Sequence, residues 1–307
     1  MAKFQDSAMP FGGGAAEAVL DEAAAGGHPA PERSLGEILR GLRNLSAEQV
    51  DKIVAYQREK GLRFGEAAVQ LGFVSTDDVL FALAQQFHYP VAPVDSKRAT
   101  PELVALNQPY SVQAEAFRAL RSQVTMRVFN DANERIALAV ISPEGGDGKS
   151  FFCANLAVTL AQLGGRTLVV DADLRKPRMH QIFAVDNSSG LSGILAGRAE
   201  TQVVKQVPGV PSLFVLPAGV TPPNPLELLE RPAFGLLMKE LTSRFDYVVV
   251  DTASSAYGAD AAVTAVRCGT ALVIARRNES RVGALQDMVA SLAGSSVKLA
   301  GVVMNEF

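Results

Sequence analysis

The chain has 307 residues, 48% of them hydrophobic and 20% charged, with a formal net charge of −3. That length accommodates about two domains with packed cores, and the slight negative charge gives no basis for nucleic-acid binding or for broad electrostatic attachment to a membrane. With two distant cysteines (Cys153 and Cys268), no histidine cluster, no signal-peptide layout and no apolar run near the roughly 18 residues that span a bilayer, the expectation is a cytoplasmic protein without disulfides, its membrane contacts made through a partner.

Residues 1–31 are rich in Gly, Ala and Pro, the composition of a disordered tail. Residues 32–90 contain an internal repeat. Leu35-Gly36-Glu37 recurs as Phe64-Gly65-Glu66 at an offset of 29, and Ser46, Val50 and Ala55 recur at the same offset as Ser75, Val79 and Ala84. Each copy predicts a short helix, a turn and a longer N-capped helix, with Ser46 and Gln49 spaced as a capping box. Val50, Ile53 and Val54 form an apolar stripe that one helix cannot bury alone, so the two copies are expected to pack as a small helical module. Residues 91–109, interrupted by Pro93, Pro101 and Pro109, read as a linker.

From Tyr110 to Phe307 apolar strands alternate with helices. Strands are predicted at 136–142, 167–171, 213–216, 246–251, 271–275 and 298–304. The pattern specifies an α/β fold, a mostly parallel sheet flanked by helices, in which ligands bind at the carboxyl ends of the strands.

The first of these strands runs into Pro143-Glu144-Gly145-Gly146-Asp147-Gly148-Lys149-Ser150, followed by the helical run from Phe151. Three glycines let backbone N–H groups converge on an anion, and the helix N-terminus adds about half a positive charge. Lys149 can reach terminal phosphates and the Ser150 hydroxyl can ligate Mg²⁺. Gly145, Gly146, Asp147, Gly148, Lys149, Ser150 and Phe151 are therefore the candidate nucleotide-binding residues. Pro143 stands where the P-loop pattern has its first glycine, which makes this a deviant form.

Two further strands end in acids: Asp171 and Asp173 after Thr167-Leu168-Val169-Val170, and Asp251 after Tyr247-Val248-Val249-Val250. Carboxylates crowded beside a triphosphate require a cation, and Mg²⁺ held by Ser150, Asp171, Asp251 and phosphate oxygens resolves the conflict. Asp171 or Asp173 can also orient or deprotonate an attacking hydroxyl, so Lys149, Asp171 and Asp173 are the candidate catalytic residues.

The deviant P-loop, the segment Asp171-Ala172-Asp173-Leu174-Arg175-Lys176-Pro177 and the strand ending Asp251-Thr252 together resemble the bacterial tyrosine kinases, which carry Walker A, A′ and B elements on a MinD/ParA-like P-loop fold. Gly190-Leu191-Ser192-Gly193 and Leu216-Pro217-Ala218-Gly219 fit the same family. The resemblance spans residues 110–307 and implies ATP and Mg²⁺ as ligands. It places Asn305 near the adenine, although a strand-end cap also fits that residue. ParA/MinD-type ATPases carry a signature lysine at the position of Glu144, so a MinD-type nucleotide sandwich is disfavoured. Glu115, Arg118 and Arg121 resemble the family motif that mediates ring-like homo-oligomers; a solvated helix face is the other reading of that spacing.

Departures accompany the likeness. The strand ending at Asp251 continues Thr252-Ala253-Ser254 where the family usually has prolines, and the five tyrosines form no cluster. The helical module joined to this domain is similar to the chain-length-determinant kinases of exosortase-associated exopolysaccharide loci. That resemblance implies a transmembrane polysaccharide co-polymerase as partner, with the chain peripheral at the inner membrane. A non-kinase ATPase switch for the same machinery is the alternative. The repeat itself resembles the N-terminal domain of type II secretion and pilus ATPases, some of which bind cyclic di-GMP. Arg63 is the candidate contact for that ligand, and a purely structural core is the other reading of the repeat.

Overall fold

The computed structural model describes residues 34–87, 100–130, 136–198 and 202–306. The expected disordered tail, 1–31, lies outside them, as do residues 88–99, which include the first part of the expected linker, 91–99.

The helical module follows the repeat. Helices α1 (Leu35–Arg43) and α2 (Ala47–Lys60) form the first copy, α3 (Phe64–Gln70) and α4 (Thr76–Gln86) the second. Ser34, Ser46 and Ser75 each accept the backbone N–H three residues on, and Glu37, Gln49 and Asp78 reciprocate to the cap backbone. These capping boxes satisfy N–H groups that a helix start leaves unpaired. Leu39, Ile53, Ala67 and Ala82 are fully buried between the copies. This packing explains the second of the repeated glycines and leaves room at the first. A Cβ on Gly65 would stand 2.7 Å from Val79 Cγ1, and one on Gly36 3.6 Å from the Phe64 ring. Because Val79 is β-branched and cannot swing aside, Gly65→Ala is expected to destabilise the module by about 1–3 kcal/mol, read as a lower urea midpoint for its helical signal in the full chain. Arg43 pairs with buried Asp78 at 2.9 Å, tying α1 to α4.

The expected linker boundary differs from what is observed. Residues 103–106 are buried, and the short helix α5 (Val104–Asn107) is held by Asn155, whose Oδ1 accepts from Ala105 N (2.9 Å) while its Nδ2 donates to Glu102 O (2.8 Å). The apolar run Leu103-Val104-Ala105-Leu106 outweighs its flanking prolines, and the segment docks on the helix after the P-loop. Helix α6 (Val112–Val128), capped by Ser111, follows and buries Ala114, Phe117, Val124 and Val128.

The sheet then forms in the predicted places: β1 (Ala137–Ile141), β2 (Thr167–Asp171), β4 (Leu213–Leu216), β5 (Tyr247–Asp251), β6 (Gly269–Arg276) and β7 (Lys298–Asn305). A two-residue strand, β3 (Lys205–Gln206), was not predicted. The order is β3-β4-β2-β5-β1-β6-β7, parallel throughout except for β3 against β4. Strands β1, β2 and β4 are buried on both faces, which is why they read as continuous apolar runs. Helix α7 (Lys149–Ala161), almost wholly buried, packs on one face with α5 and α6. The chain continues through α8 (Met179–Ile182), α9 (Leu191–Leu195), α10 (Pro225–Glu230), α11 (Pro232–Arg244), α12 (Asp260–Cys268) and α13 (Val282–Leu292). The two glycine motifs meet each other: Leu191 N and Ser192 N donate to Pro217 O and Ala218 O, both at 2.9 Å, so tightly that a Cβ on Gly190 would lie 2.2 Å from Pro217 O.

Order β2-β5-β1 places the carboxyl ends of three strands side by side, with the loop after β1 against the acids that end β2 and β5.

Candidate active site

The loop between β1 and α7 turns with Gly146 at φ +89° and Gly148 at φ +94°, left-handed values that favour glycine. Asp147 holds the turn from inside. Its Oδ2 accepts from Glu144 N (2.9 Å) and its Oδ1 from Ser280 Oγ (2.8 Å). The Asp147 side chain is thus committed to the loop itself, and what it offers a ligand is backbone. The Pro143 carbonyl accepts Ala256 N at 3.1 Å, so the entry to the loop is pinned to the turn after β5.

Lys149, buried at the start of α7, donates to Ser142 Oγ at 2.9 Å, and Ser150 Oγ donates to Asp251 Oδ2 at 2.6 Å. Asp171 and Asp251 are register partners on β2 and β5, both fully buried. Burial pushes the Asp251 carboxyl up to about 6 against the opposing effect of Ser150 and Lys149; burial, then the charge of Asp251, pushes Asp171 well above the usual carboxylate range. Asp171 Oδ2 accepts from Arg178 N and Met179 N (3.1 and 3.0 Å), whereas its buried Oδ1 has no partner. Two adjacent buried carboxylates with an orphaned oxygen are costly unless a cation joins them. The donors are all oxygens, which suits Mg²⁺ completed by phosphate and water. Among the described residues no cluster of three or more His, Cys, Asp or Glu could hold a metal by itself. The site therefore fits a cation that arrives with its nucleotide.

Above these groups opens a cleft of about 860 Å³. Of the sequence-predicted residues, Gly145, Gly146, Gly148, Lys149, Ser150, Phe151, Asp173 and Asn305 line it. Asp171 and Asp251, both fully buried, do not line it. Asn305 has a role that neither of its expected readings contained: its Nδ2 donates to Asp147 O at 3.0 Å, bracing the P-loop from the last strand. Asp173 Oδ1 accepts from Arg175 N and Lys176 N (3.1 and 2.9 Å), which shapes the segment after β2. Among the lining residues that sequence reasoning missed, Lys176, Ser254 and Tyr257 come from the segments after β2 and β5, and Arg276 ends β6. Lys176 lies within the motif it did recognise, and Ser254 at the departure it noted; nothing in the sequence marked the other two. Glu144 lines a separate cavity of about 570 Å³ behind the loop and approaches Arg281 at 3.5 Å.

The other predicted residues lie outside the cleft. Arg118 is paired with Glu115 and also donates to Pro109 O, and Arg121 donates to Thr159 O at 3.1 Å. Glu115 is exposed. Arg63 is exposed at the N-cap of α3, in the helical module.

Fold and site define a P-loop nucleotide-binding domain, and the family described as CobQ/CobB/MinD/ParA nucleotide binding domain matches residues 138–307, more than half of the chain. The putative tyrosine-protein kinase CapB of Staphylococcus aureus is 34% identical over 213 residues, 68% of this chain and 91% of CapB; YwqD of Bacillus subtilis, also named a tyrosine-protein kinase, is 33% identical over 68% of this chain and 87% of its own. Tyrosine-protein kinase wzc of Salmonella typhimurium is 32% identical over 66% of this chain, which spans only 28% of wzc's length. The kinase domain of Escherichia coli tyrosine kinase ETK superposes with a TM-score of 0.64 at 31% identity, covering 69% of this chain and 82% of that domain. The BceF tyrosine kinase domain gives 0.60 at 26% identity and covers 92% and 99%. The chain belongs to the bacterial tyrosine kinase family.

Proposed function

We propose that this chain binds ATP with Mg²⁺ in the cleft over β1, β2 and β5 and transfers the γ-phosphoryl group to tyrosine hydroxyls, as a regulator of exopolysaccharide chain length or export. The observation that carries the reading is the Ser150–Asp251 hydrogen bond beside the in-register Asp171, at the helix start that also carries Lys149. This is the arrangement that phosphoryl transfer needs, because its demand on a protein is positioning and charge neutralisation. The backbone of residues 145–148 and the N-terminus of α7 receive the inner phosphates. Lys149 exchanges Ser142 for the terminal phosphates. Ser150, Asp171 and Asp251 hold the cation, which when bound neutralises charge on the transferring group. Asp173, at the cleft wall, orients the acceptor hydroxyl and takes its proton. Phe151 and Asn305 bound the nucleotide.

The same reading includes a homo-oligomer built on Glu115, Arg118 and Arg121, and a transmembrane chain-length-determinant partner that holds the chain at the cytoplasmic face of the inner membrane. Among the described residues no helix is long and apolar enough to cross a membrane. The test is to incubate the protein with Mg-ATP and the cytoplasmic segment of a polysaccharide co-polymerase. Phosphotyrosine that rises with the segment is the expected result; ATP consumption without phosphotyrosine on either protein sinks the proposal.

A further inference from the structure

Of the four tyrosines among the described residues, only Tyr257 lines the nucleotide cleft. It ends the 3-10 turn Ser255–Tyr257, which is fastened to the start of the P-loop: Ser255 N donates to Ser142 O (3.0 Å), Ala256 N to Pro143 O (3.1 Å), and Ser255 Oγ to both carbonyls at 3.2 Å. The turn that carries the phenol therefore has a fixed position relative to the phosphate-binding loop. Its hydroxyl reaches over Gly145, 3.8 Å from where a Cβ on that glycine would stand, and accepts a hydrogen bond from Lys176 Nζ at 2.7 Å. Asp173 sets the chain direction that brings Lys176 there. On the same wall Ser254 is 1% exposed and its Oγ has no partner, 4.0 Å from that same Cβ position. A buried hydroxyl without a partner beside an anion-binding loop has a ligand still to meet.

We propose that Tyr257 is a phosphoryl acceptor for the nucleotide bound in its own cleft, an inference that rests on the kinase reading above. The bond between the γ-phosphorus and the β,γ-bridging oxygen breaks, leaving ADP, and a bond forms between that phosphorus and Tyr257 Oη. The phenolic proton passes to the Asp173 carboxylate and from there to solvent. Ser254 Oγ donates to an oxygen of the transferring group, which accounts for a serine at this departure from the family's prolines. The product dianion keeps Lys176 as its counter-charge.

The full-length, phosphatase-treated protein is incubated with Mg-ATP carrying a labelled γ-phosphate, over a wide dilution series, and the label is mapped by peptide sequencing. A synthetic Glu-Tyr copolymer is labelled in parallel. Label on Tyr257, at most one per chain, with a rate constant independent of protein concentration, is the expected result. Tyr257→Phe then loses most of the self-label, while Tyr56→Phe, in the helical module, keeps it within about twofold. Label on other tyrosines with Tyr257 unmodified, or a rate constant that falls on dilution, overturns the inference. Labelled copolymer with unlabelled Tyr257 ends this inference and leaves the kinase reading standing. No label on either removes both.

Discussion

Lys149→Met is expected to lower phosphotyrosine formation by at least about 100-fold, the scale of removing one preorganised charge from a phosphoryl-transfer site. Lys149 is the buried cation of the loop and donates to Ser142 Oγ, a neutral partner that it can leave when phosphate arrives. Methionine keeps most of the side chain's length and packing but removes the charge and the donors. The fold is expected to persist, since Ser142 retains its bond to Glu144 O and the loop retains Asp147 as its internal brace. The check is a rate comparison at saturating Mg-ATP alongside a thermal melt of both proteins. A variant that melts like the parent and still transfers phosphate at a comparable rate removes Lys149 from the mechanism.

Asp251→Asn is expected to act in opposite directions on ligand binding and on stability. Asp251 is fully buried and its carboxyl is raised from 3.8 to about 6. A carboxyl whose folded value lies above its unfolded value favours the folded state most below pH 4, and that contribution is lost as pH rises from about 4 through 6. At neutral pH the nucleotide-free protein therefore carries a destabilisation on the order of 2–3 kcal/mol from this one group. Asparagine removes it while still accepting from Ser150. The variant is expected to be more stable than the parent at pH 7 without nucleotide, with a flatter pH dependence between 4 and 6. It is also expected to lose the strengthening of ATP binding by Mg²⁺. The parent's own Mg-ATP affinity should fall below pH 6 as Asp251 takes up a proton. Urea unfolding across pH, with and without Mg-ATP, measures all of this. A variant less stable than the parent at pH 7, or one that retains Mg²⁺-dependent binding, contradicts the account.

The functional site is thus a place where stability has been given up for chemistry. Asp171 and Asp251 face each other across adjacent parallel strands because both strands are read to their last residue as apolar runs. Those runs are what made the sheet legible. The predicted strand segments 167–171 and 213–216 match the observed bounds, 246–251 is one residue long at its start, and 136–142 is one residue long at each end. The serine caps of the module's two longer helices, Ser46 and Ser75, were legible for the same kind of reason, since capping boxes are local. What escaped were contacts between distant residues. Ser280 meets Asp147 from 133 positions away and Asn305 meets it from 158, and no local pattern announces either. The docking of Ala105 on Asn155 was hidden by prolines whose meaning depends on what lies beneath them. Tyr257 was passed over because its significance comes from the turn that pins it to Ser142 and Pro143, which only the folded chain reveals.

The central claim, that this cleft moves phosphate from ATP to a tyrosine hydroxyl, is tested most directly by a stoichiometry. In one reaction with Mg-ATP, the ADP produced is compared with the phosphotyrosine and the inorganic phosphate formed. The account predicts that phosphotyrosine accounts for most of the ADP in the first turnover and that both vanish together in Lys149→Met. ADP matched by inorganic phosphate alone, with no phosphotyrosine, would contradict it.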